Sequence, residues 1–139
     1  MPRHSYSRCW IHLIWSTFKR EKALHGENAR RVTNCLISLA KSADIYLRSI
    51  HVNPEHVHLL IDLPATHSVD EVVKLLKGSS SRWINANRLL VGRFRWARGY
   101  AEFSVSQSAM KDVIAYIDGQ DEHHRVRTFA EEYEAFARR

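Results

Sequence analysis

Four short stretches of the chain have the composition and alternation typical of β-strands. Ser7–Thr17 is rich in aromatic and β-branched residues and predicts the first strand, and Ile45–Val52 predicts the second. Asn53–Pro64 predicts a turn followed by a third strand, because its apolar run lies between two prolines and is too short for a helix. A short fourth strand runs through about Val105. The second and third strands are close enough in sequence to form an antiparallel hairpin.

Apolar positions at helical spacing separate these strands. From about His25 to Ala43 they predict an amphipathic helix, and Ser68 opens a capping box that begins a second one. Ser106 or Ser108 caps a third helix, and Thr128–Glu131 repeats the capping-box spacing before a last helix. The apolar stripe of the third helix consists of Met110, Val113, Ile114 and Ile117.

The order of these elements predicts the fold class. A β-α-β-β-α-β-α order with a central hairpin indicates a ferredoxin-like α+β sandwich, in which helices cover one face of an antiparallel sheet. No repeat, low-complexity segment or linker interrupts the 139 residues, so residues 1–139 are expected to form a single domain. The other face of the sheet is then open for a ligand.

Composition narrows the class of partner. The chain is 45% hydrophobic and 26% charged, as in ordinary globular proteins, and its net charge of +6 makes a polyanion the first partner to consider. No stretch is apolar for long enough to cross a bilayer, and no signal-peptide core is present. Cys9 and Cys35 fit neither a metal spacing nor a disulfide framework, so a cytoplasmic location is expected.

His56 and His58 form a His-x-His triplet in the third predicted strand. Side chains alternate along a strand, so both imidazoles point to one face while Val57 and Leu59 point to the core. Two imidazoles on a rigid strand suit two nitrogen ligands of one metal ion. The alternative is a pair of histidines on the wetter face of the sheet.

Tyr116 and Gln120 are four residues apart on the third helix and therefore share one helix face. An amide oxygen completes a mixed nitrogen and oxygen metal shell, and a neighbouring phenol is a nucleophile for a metal-polarised phosphate. Gly119 lies between them, and a helix that loosens there would move Gln120. The simpler alternative is an amphipathic boundary residue and a solvated helix end.

The chain resembles the small single-tyrosine HUH transposases through His56-Val57-His58-Leu59-Leu60-Ile61 in a strand and Tyr116-Ile117-Asp118-Gly119-Gln120 in a helix. These are the insertion-sequence transposases of the two-hundred type and the REP-associated tyrosine transposases. The resemblance spans almost the whole chain, including Asn53-Pro54-Glu55, Lys77-Gly78-Ser79-Ser80-Ser81-Arg82, Gly99-Tyr100 and the segment 120–125.

The resemblance implies a reaction and a role for each motif residue. His56, His58 and Gln120 become metal ligands, and Tyr116 becomes the nucleophile. Such enzymes cut single-stranded DNA by transesterification, leaving a 5′-phosphotyrosine and a free 3′-hydroxyl. They recognise hairpins near element ends and work as dimers, so hairpin-forming single-stranded DNA and a second copy of the chain are the expected partners.

A divalent ion is the expected cofactor. A phenol has a pKa of about 10 and is a poor nucleophile at neutral pH without a cation or a base. Mg²⁺ is the abundant candidate, whereas two imidazoles suit Mn²⁺ better. His12, His51 and His123 are candidates for a general base, with structural or exposed roles as the alternative.

Basic residues in two regions are the candidates for DNA contacts. They are Lys74, Lys77 and Arg82 on the second helix and Arg93, Arg95 and Arg98 in the loop that follows. Trp96 and Tyr100 interleave with the loop arginines and are candidates for stacking on unpaired bases, and Ser79, Ser80 and Ser81 for hydrogen bonds to phosphates. A solvated basic surface with two core aromatics is the alternative for each member.

Two other functions are compatible with the sequence. One is a catalytically silent relative that binds hairpin DNA or RNA and represses without cutting. The other is an ordinary ferredoxin-like binding domain in which the motif is coincidental. The complete set of His56, His58, Tyr116 and Gln120 favours the enzyme, since a pure binder has no need of it.

Overall fold

The computed structural model describes residues 6–119, and within them four strands alternate with three α-helices. In chain order these are β1 (Trp10–Ser16), α1 (Gly26–Ser42), β2 (Tyr46–Val52), β3 (His56–Asp62), α2 (Val69–Ala86), β4 (Ala101–Val105) and α3 (Met110–Asp118). Each was predicted from the sequence to within a few residues at its ends. The last predicted helix, from Thr128, lies outside the described residues. No helix in residues 6–119 is both long and apolar enough to span a bilayer.

The four strands form one antiparallel sheet in the order β2-β3-β1-β4. β1 and β2 are connected through α1 and leave a gap between them, which β3 fills after the hairpin. This is the split β-α-β arrangement of the ferredoxin-like sandwich, and it confirms the predicted fold class. β3 is therefore a central strand, and six of its seven residues are buried.

α1 and α2 cover one face of the sheet and build the main core with it. Leu13 and Leu59 from the sheet, and Leu36 and Leu76 from the helices, are completely buried in this cluster. Burial of each such side chain contributes about 1.5–3 kcal/mol. The alternation of β3 thus anchors one of its faces and leaves the other for different contacts.

α2 begins with the predicted capping box. Ser68 Oγ accepts from the backbone N–H of Glu71 at 3.1 Å, and the Glu71 carboxylate accepts from the backbone N–H of Ser68 at 2.9 Å. The helix then runs unbroken through Gly78 and Ser79–Ser81, although glycine and serine are weak helix formers. A Cβ on Gly78 would meet only the Arg82 guanidinium, at 3.7 Å, so no neighbouring backbone requires a glycine there.

α3 begins later than the predicted serine caps. Ser106 is the N-cap of a short 3₁₀ turn, Gln107–Ala109, and Ala109 occupies the N-cap position of α3. The Ser106 and Ser108 hydroxyls lie 3.2 Å apart and hydrogen-bond to each other, and Ser106 makes no side-chain bond to the backbone of the turn.

α3 packs against the sheet face that α1 and α2 leave open. Leu60 of β3 forms a second buried cluster with Met110, Val113 and Ile117, whereas Leu59 points into the main core. The helix that carries Tyr116 is therefore held on the same face as the two histidines of β3.

Candidate active site

β3 presents His56 and His58 side by side on the face that α3 covers. Val57 and Leu59 lie in the main core, as the strand period predicts. The two imidazoles are 0% and 1% exposed, so they are not a solvated pair on a wet sheet face. Their Nε2 atoms lie 3.1 Å apart, and their ring centroids 4.9 Å apart.

Glu55, at the end of the hairpin turn, orients the ring of His56. Its carboxylate oxygen lies 2.7 Å from Nδ1 of His56, and it is itself only 4% exposed. Because a carboxylate can only accept, Nδ1 of His56 carries the hydrogen and Nε2 of the neutral ring presents a lone pair. Asn53 Nδ2 donates to that lone pair at 3.0 Å. This role of Glu55 could not be predicted from the sequence, since adjacency along the chain does not determine a side-chain contact.

His12 of β1 is the corresponding partner of His58. Its Nε2 lies 2.9 Å from Nδ1 of His58, and its ring is completely buried. The register pairs His12 with Leu60, so His12 reaches His58 across the diagonal between the strands. When Nε2 of His58 presents a lone pair, its Nδ1–H donates to His12. The contact of His12 with His58 is thus a second orienting bond, a role that was not predicted for His12, which was a candidate general base.

Tyr116 meets these imidazoles from α3. The centroid of its ring lies 5.8 Å from that of His58 and 6.3 Å from that of His12, edge-on in both cases. The phenol ring is half-buried. Ser49 Oγ of β2 donates to Asp118 Oδ1 at 2.7 Å, which ties the end of α3 to the sheet. One chain therefore brings the histidine strand and the tyrosine helix together.

The third predicted ligand, Gln120, lies outside the described residues. α3 ends at Asp118, and Gly119 is its C-cap, with a backbone N–H that donates to Ala115 O at 3.0 Å. Among residues 6–119, no three His, Cys, Asp or Glu side chains are grouped as a metal site. Within that range the nitrogen pair of His56 and His58 is what the candidate site offers to a cation.

His51, another candidate base, lies on the same sheet face. It is directly opposite His58 in the β2–β3 pairing, and directly opposite residues point to one side of the sheet. His123, the third candidate, lies outside the described residues.

The basic residues predicted on α2 have different surroundings. Lys77 Nζ donates to the carbonyls of Ala97 and Gly99 at 2.7 and 2.9 Å, and burial lowers the pKa of its ammonium. Lys77 therefore holds the loop before β4 against α2. Lys74 Nζ forms an exposed ion pair with Asp70 at 3.0 Å. Arg82 is exposed, and its guanidinium donates to Ser79 Oγ at 3.3 Å.

The loop arginines are exposed, but the loop tryptophan is not. Arg93, Arg95 and Arg98 all face solvent, and the Arg95 guanidinium stacks 3.6 Å from the ring centre of Phe18. Trp96 is only 7% exposed, so the predicted stacking of this ring on DNA bases is wrong. It packs in the main core instead, because the loop folds back onto α2.

Ser80 and Ser81 of α2 both form hydrogen bonds inside the protein. Ser80 is completely buried, accepts the indole N–H of Trp96 at 2.9 Å and donates to Lys77 O at 3.2 Å. Ser81 donates to Gly78 O at 3.1 Å. The predicted role of these two hydroxyls as phosphate donors is therefore replaced by bonds inside the protein.

The sequence has clear relatives among transposases. A family model described as "Transposase IS200 like" matches residues 5–120. The ISDra2 transposase TnpA of Deinococcus radiodurans is 30% identical over 114 residues, which cover 78% of this chain and 81% of the relative. The transposase for the insertion sequence element IS200 of Salmonella typhimurium is 26% identical over 128 residues, covering 88% and 84%.

Solved structures share the fold. A crystal structure of a candidate transposase from Deinococcus radiodurans R1 superposes with a TM-score of 0.69 at 30% identity, covering 86% of this chain and 96% of that one. A REP-associated tyrosine transposase bound to a REP hairpin superposes with a TM-score of 0.64, covering 89% and 73%; at 15% identity this likeness concerns the fold alone.

Proposed function

Because the chain belongs to the IS200-like transposase family, we propose that it cleaves and rejoins single-stranded DNA through a 5′-phosphotyrosine intermediate. Tyr116 is the nucleophile, and His56 and His58, with Gln120, hold a divalent metal ion. The observation that carries the proposal is the contact between α3 and β3, in which the Tyr116 ring lies 5.8 Å from the ring of His58. The nucleophile and the ion that the two imidazoles would hold then lie beside the same phosphate.

The two imidazoles fit a divalent cation. Two nitrogens that each lie about 2.1 Å from one ion are about 3.0–3.4 Å apart for octahedral to tetrahedral angles. The Nε2 atoms of His56 and His58 are 3.1 Å apart. Glu55 holds a hydrogen on Nδ1 of His56, and in the tautomer in which Nδ1–H of His58 donates to His12, both Nε2 lone pairs are available to a cation. An ion held by His56 would take the place of the hydrogen bond that Asn53 donates to Nε2 of that ring.

Mg²⁺ or Mn²⁺ is the proposed ion. Mg²⁺ is compatible with phosphate and amide oxygens, whereas Mn²⁺ accepts imidazole nitrogen more readily. We therefore expect both ions to support the reaction.

The proposed reaction exchanges one phosphodiester for another. The metal ion, when bound, neutralises charge on the phosphate oxygens. Tyr116 Oη forms a bond to phosphorus as the bond to the 3′ oxygen of the preceding nucleotide breaks. The phenol gives up its proton, and the departing 3′ oxygen gains one as a free hydroxyl. Attack by a 3′-hydroxyl on the phosphotyrosine reverses these steps and rejoins DNA.

Both imidazoles are less than 2% exposed, so side chains over the site must move when an ion and a phosphate enter. α3 is the element expected to move, because its half-buried Tyr116 lies directly beside them.

The proposed substrate is a hairpin-forming single strand at the end of a mobile element. A relative of the same fold has been solved with a REP hairpin, which supports this choice. Action as a homodimer is part of the same proposal.

A covalent-adduct assay tests the function. The protein is incubated with Mg²⁺ or Mn²⁺ and with single-stranded hairpins taken from DNA that flanks its gene, and adducts are separated on a denaturing gel. We expect an adduct that disappears in Tyr116→Phe and is greatly reduced in His56→Ala. Tyr46→Phe is the matched control, because Tyr46 is 57% exposed on β2. Salt-sensitive hairpin binding without any adduct would instead indicate a silent binding relative.

A further inference from the structure

The hairpin turn that carries Glu55 is bound by the segment that follows β1. Thr17 N donates to Glu55 O at 2.9 Å, and Leu24 N donates to Pro54 O at 3.1 Å. Thr17 and Leu24 are both buried, with exposed fractions of 1% and 0%. The segment therefore binds both carbonyl groups of the dipeptide that precedes His56.

The hydroxyl of Thr17 closes this segment into a turn. Its Oγ1 donates to Glu21 O at 2.7 Å and lies 3.3 Å from Glu55 O, which is its second acceptor. Because a hydroxyl has a single hydrogen, the shorter contact is the principal bond. The hydroxyl thus lies between the turn after β1 and the hairpin turn, and it sets the spacing of the two.

The turn that this hydroxyl closes has a strained backbone. Lys19 and Arg20 have φ of 56° and 54°, in the left-handed region that favours glycine. Backbone hydrogen bonds from Arg20 N to Thr17 O, at 3.0 Å, and from Glu21 N to Phe18 O, at 3.2 Å, span the same residues. A strained conformation persists only where the surrounding contacts impose it. We therefore expect the turn to relax when the Thr17 hydroxyl is removed.

Relaxation of this turn would reach His56 through Glu55. The Glu55 carboxylate lies 2.7 Å from Nδ1 of His56, and this bond sets the direction in which Nε2 points. The backbone carbonyl of the same glutamate is the group that Thr17 binds. A shift of the hairpin turn therefore moves the carboxylate relative to the imidazole.

We propose that Thr17 is a positioning residue for the metal site, because its hydroxyl closes a strained turn that holds Glu55 against His56. Thr17 acts through Glu55 and does not itself hold the ion. This assignment rests on the proposed function, because the ion that His56 would hold belongs to that function.

The hydrogen on Nδ1 of His56 provides a measurement that needs no metal. Its exchange with water is followed by NMR in the full chain with isotope-labelled histidine and EDTA, and His56→Ala assigns its signal. We expect Thr17→Val to speed this exchange about fivefold, because the carboxylate is held less firmly. Thr17→Ser keeps the hydroxyl and should stay within about twofold of the parent. Thr33→Val is the matched control, because it removes a hydroxyl whose 2.8 Å bond to Ala29 O lies within α1.

Mn²⁺ affinity provides the second measurement. Calorimetric titration of the full chain should show about fivefold weaker binding in Thr17→Val, with Thr17→Ser and Thr33→Val within about twofold of the parent. Thermal melting defines the range in which each variant is folded, and both measurements are made inside it. A hydroxyl that only stabilised the fold would change the melting temperature and leave the exchange rate and the affinity of the folded chain unchanged.

Lys19→Gly separates the strain from the hydroxyl. Glycine adopts a φ of 56° without strain, so the turn should stay closed even when the Thr17 bond is missing. We expect Lys19→Gly to recover most of the Mn²⁺ affinity that Thr17→Val loses, and to change the affinity of the parent less than about twofold. No recovery would overturn strain in the turn as the cause.

The two measurements also separate this role from the proposed chemistry. Unchanged exchange and unchanged Mn²⁺ affinity in Thr17→Val would overturn the proposal, and so would equal losses in Thr17→Val and Thr17→Ser. If exchange differs between the variants as expected but no covalent adduct forms, the chemistry is rejected and the positioning role of Thr17 stands.

Discussion

Glu55 accepts a hydrogen bond of 2.7 Å from Nδ1 of His56, and both side chains are buried. A carboxylate in this position raises the basicity of the opposite ring nitrogen and fixes the ring. We expect Glu55→Gln to lower Mn²⁺ affinity about 10–100-fold, as measured by calorimetric titration of the full chain. Glu102→Gln, on the exposed side of β4, is the control. Unchanged Mn²⁺ affinity in Glu55→Gln would show that the Glu55 carboxylate does not tune His56 as a metal ligand.

His12 allows a parallel test on His58. His12→Phe keeps a ring of similar size in the buried site but removes the hydrogen-bond partner of Nδ1 of His58. A buried polar nitrogen without a partner costs about 1–3 kcal/mol, so the free energy of unfolding should fall by that amount in urea. Mn²⁺ affinity should fall as well, because the ring of His58 loses its orientation. His12→Gln retains an acceptor and should recover part of both; equal losses in the two variants would contradict the orienting role.

The hydrogen bond between Ser49 and Asp118 is expected to help hold Tyr116 in position. Removal of this hydroxyl in Ser49→Ala frees the end of α3 from β2. If the lost hydrogen bond raises the activation free energy by about 1 kcal/mol, because Tyr116 is held less firmly, adduct formation becomes roughly fivefold slower. Hairpin affinity should stay the same, and Ser104→Ala on the exposed side of β4 should change neither quantity. A drop in affinity equal to the drop in rate would place Ser49 in DNA binding instead.

The two lysines of α2 should differ in their effect on stability. Lys77 donates two hydrogen bonds to the carbonyls of Ala97 and Gly99, so Lys77→Met should cost about 1.5–3 kcal/mol in denaturant unfolding. Lys74 has only an exposed ion pair with Asp70, and Lys74→Met should cost less than about 1 kcal/mol. Equal costs would mean that the Lys77 bonds do not hold the loop.

Patterns of short range in the sequence predicted the fold well. A period of two was enough to place His56 and His58 on one face of β3, because the pleat leaves no other arrangement. The spacing of Ser68 and Glu71 likewise identified the start of α2, because a capping box involves only one turn of helix. The start of α3 was less predictable, because its serines bond to each other.

Contacts between distant parts of the chain were not predictable in the same way. Trp96 and Lys77 were both candidates for DNA binding, yet the return of the loop onto α2 gives them partners inside the protein. Glu55 and His12 became recognisable as partners of the histidines only once β1, β3 and the turn were together in space. The roles of Tyr116 and of the exposed Arg93, Arg95 and Arg98 stay predictions.

The order of the elements along the chain has a consequence for biosynthesis. A ribosome releases β1, β2 and β3 well before β4 and α3, so a growing polypeptide holds its paired imidazoles long before it holds its phenol. Under the proposed function, a growing chain that lacks Tyr116 therefore has no nucleophile with which to form the phosphotyrosine bond.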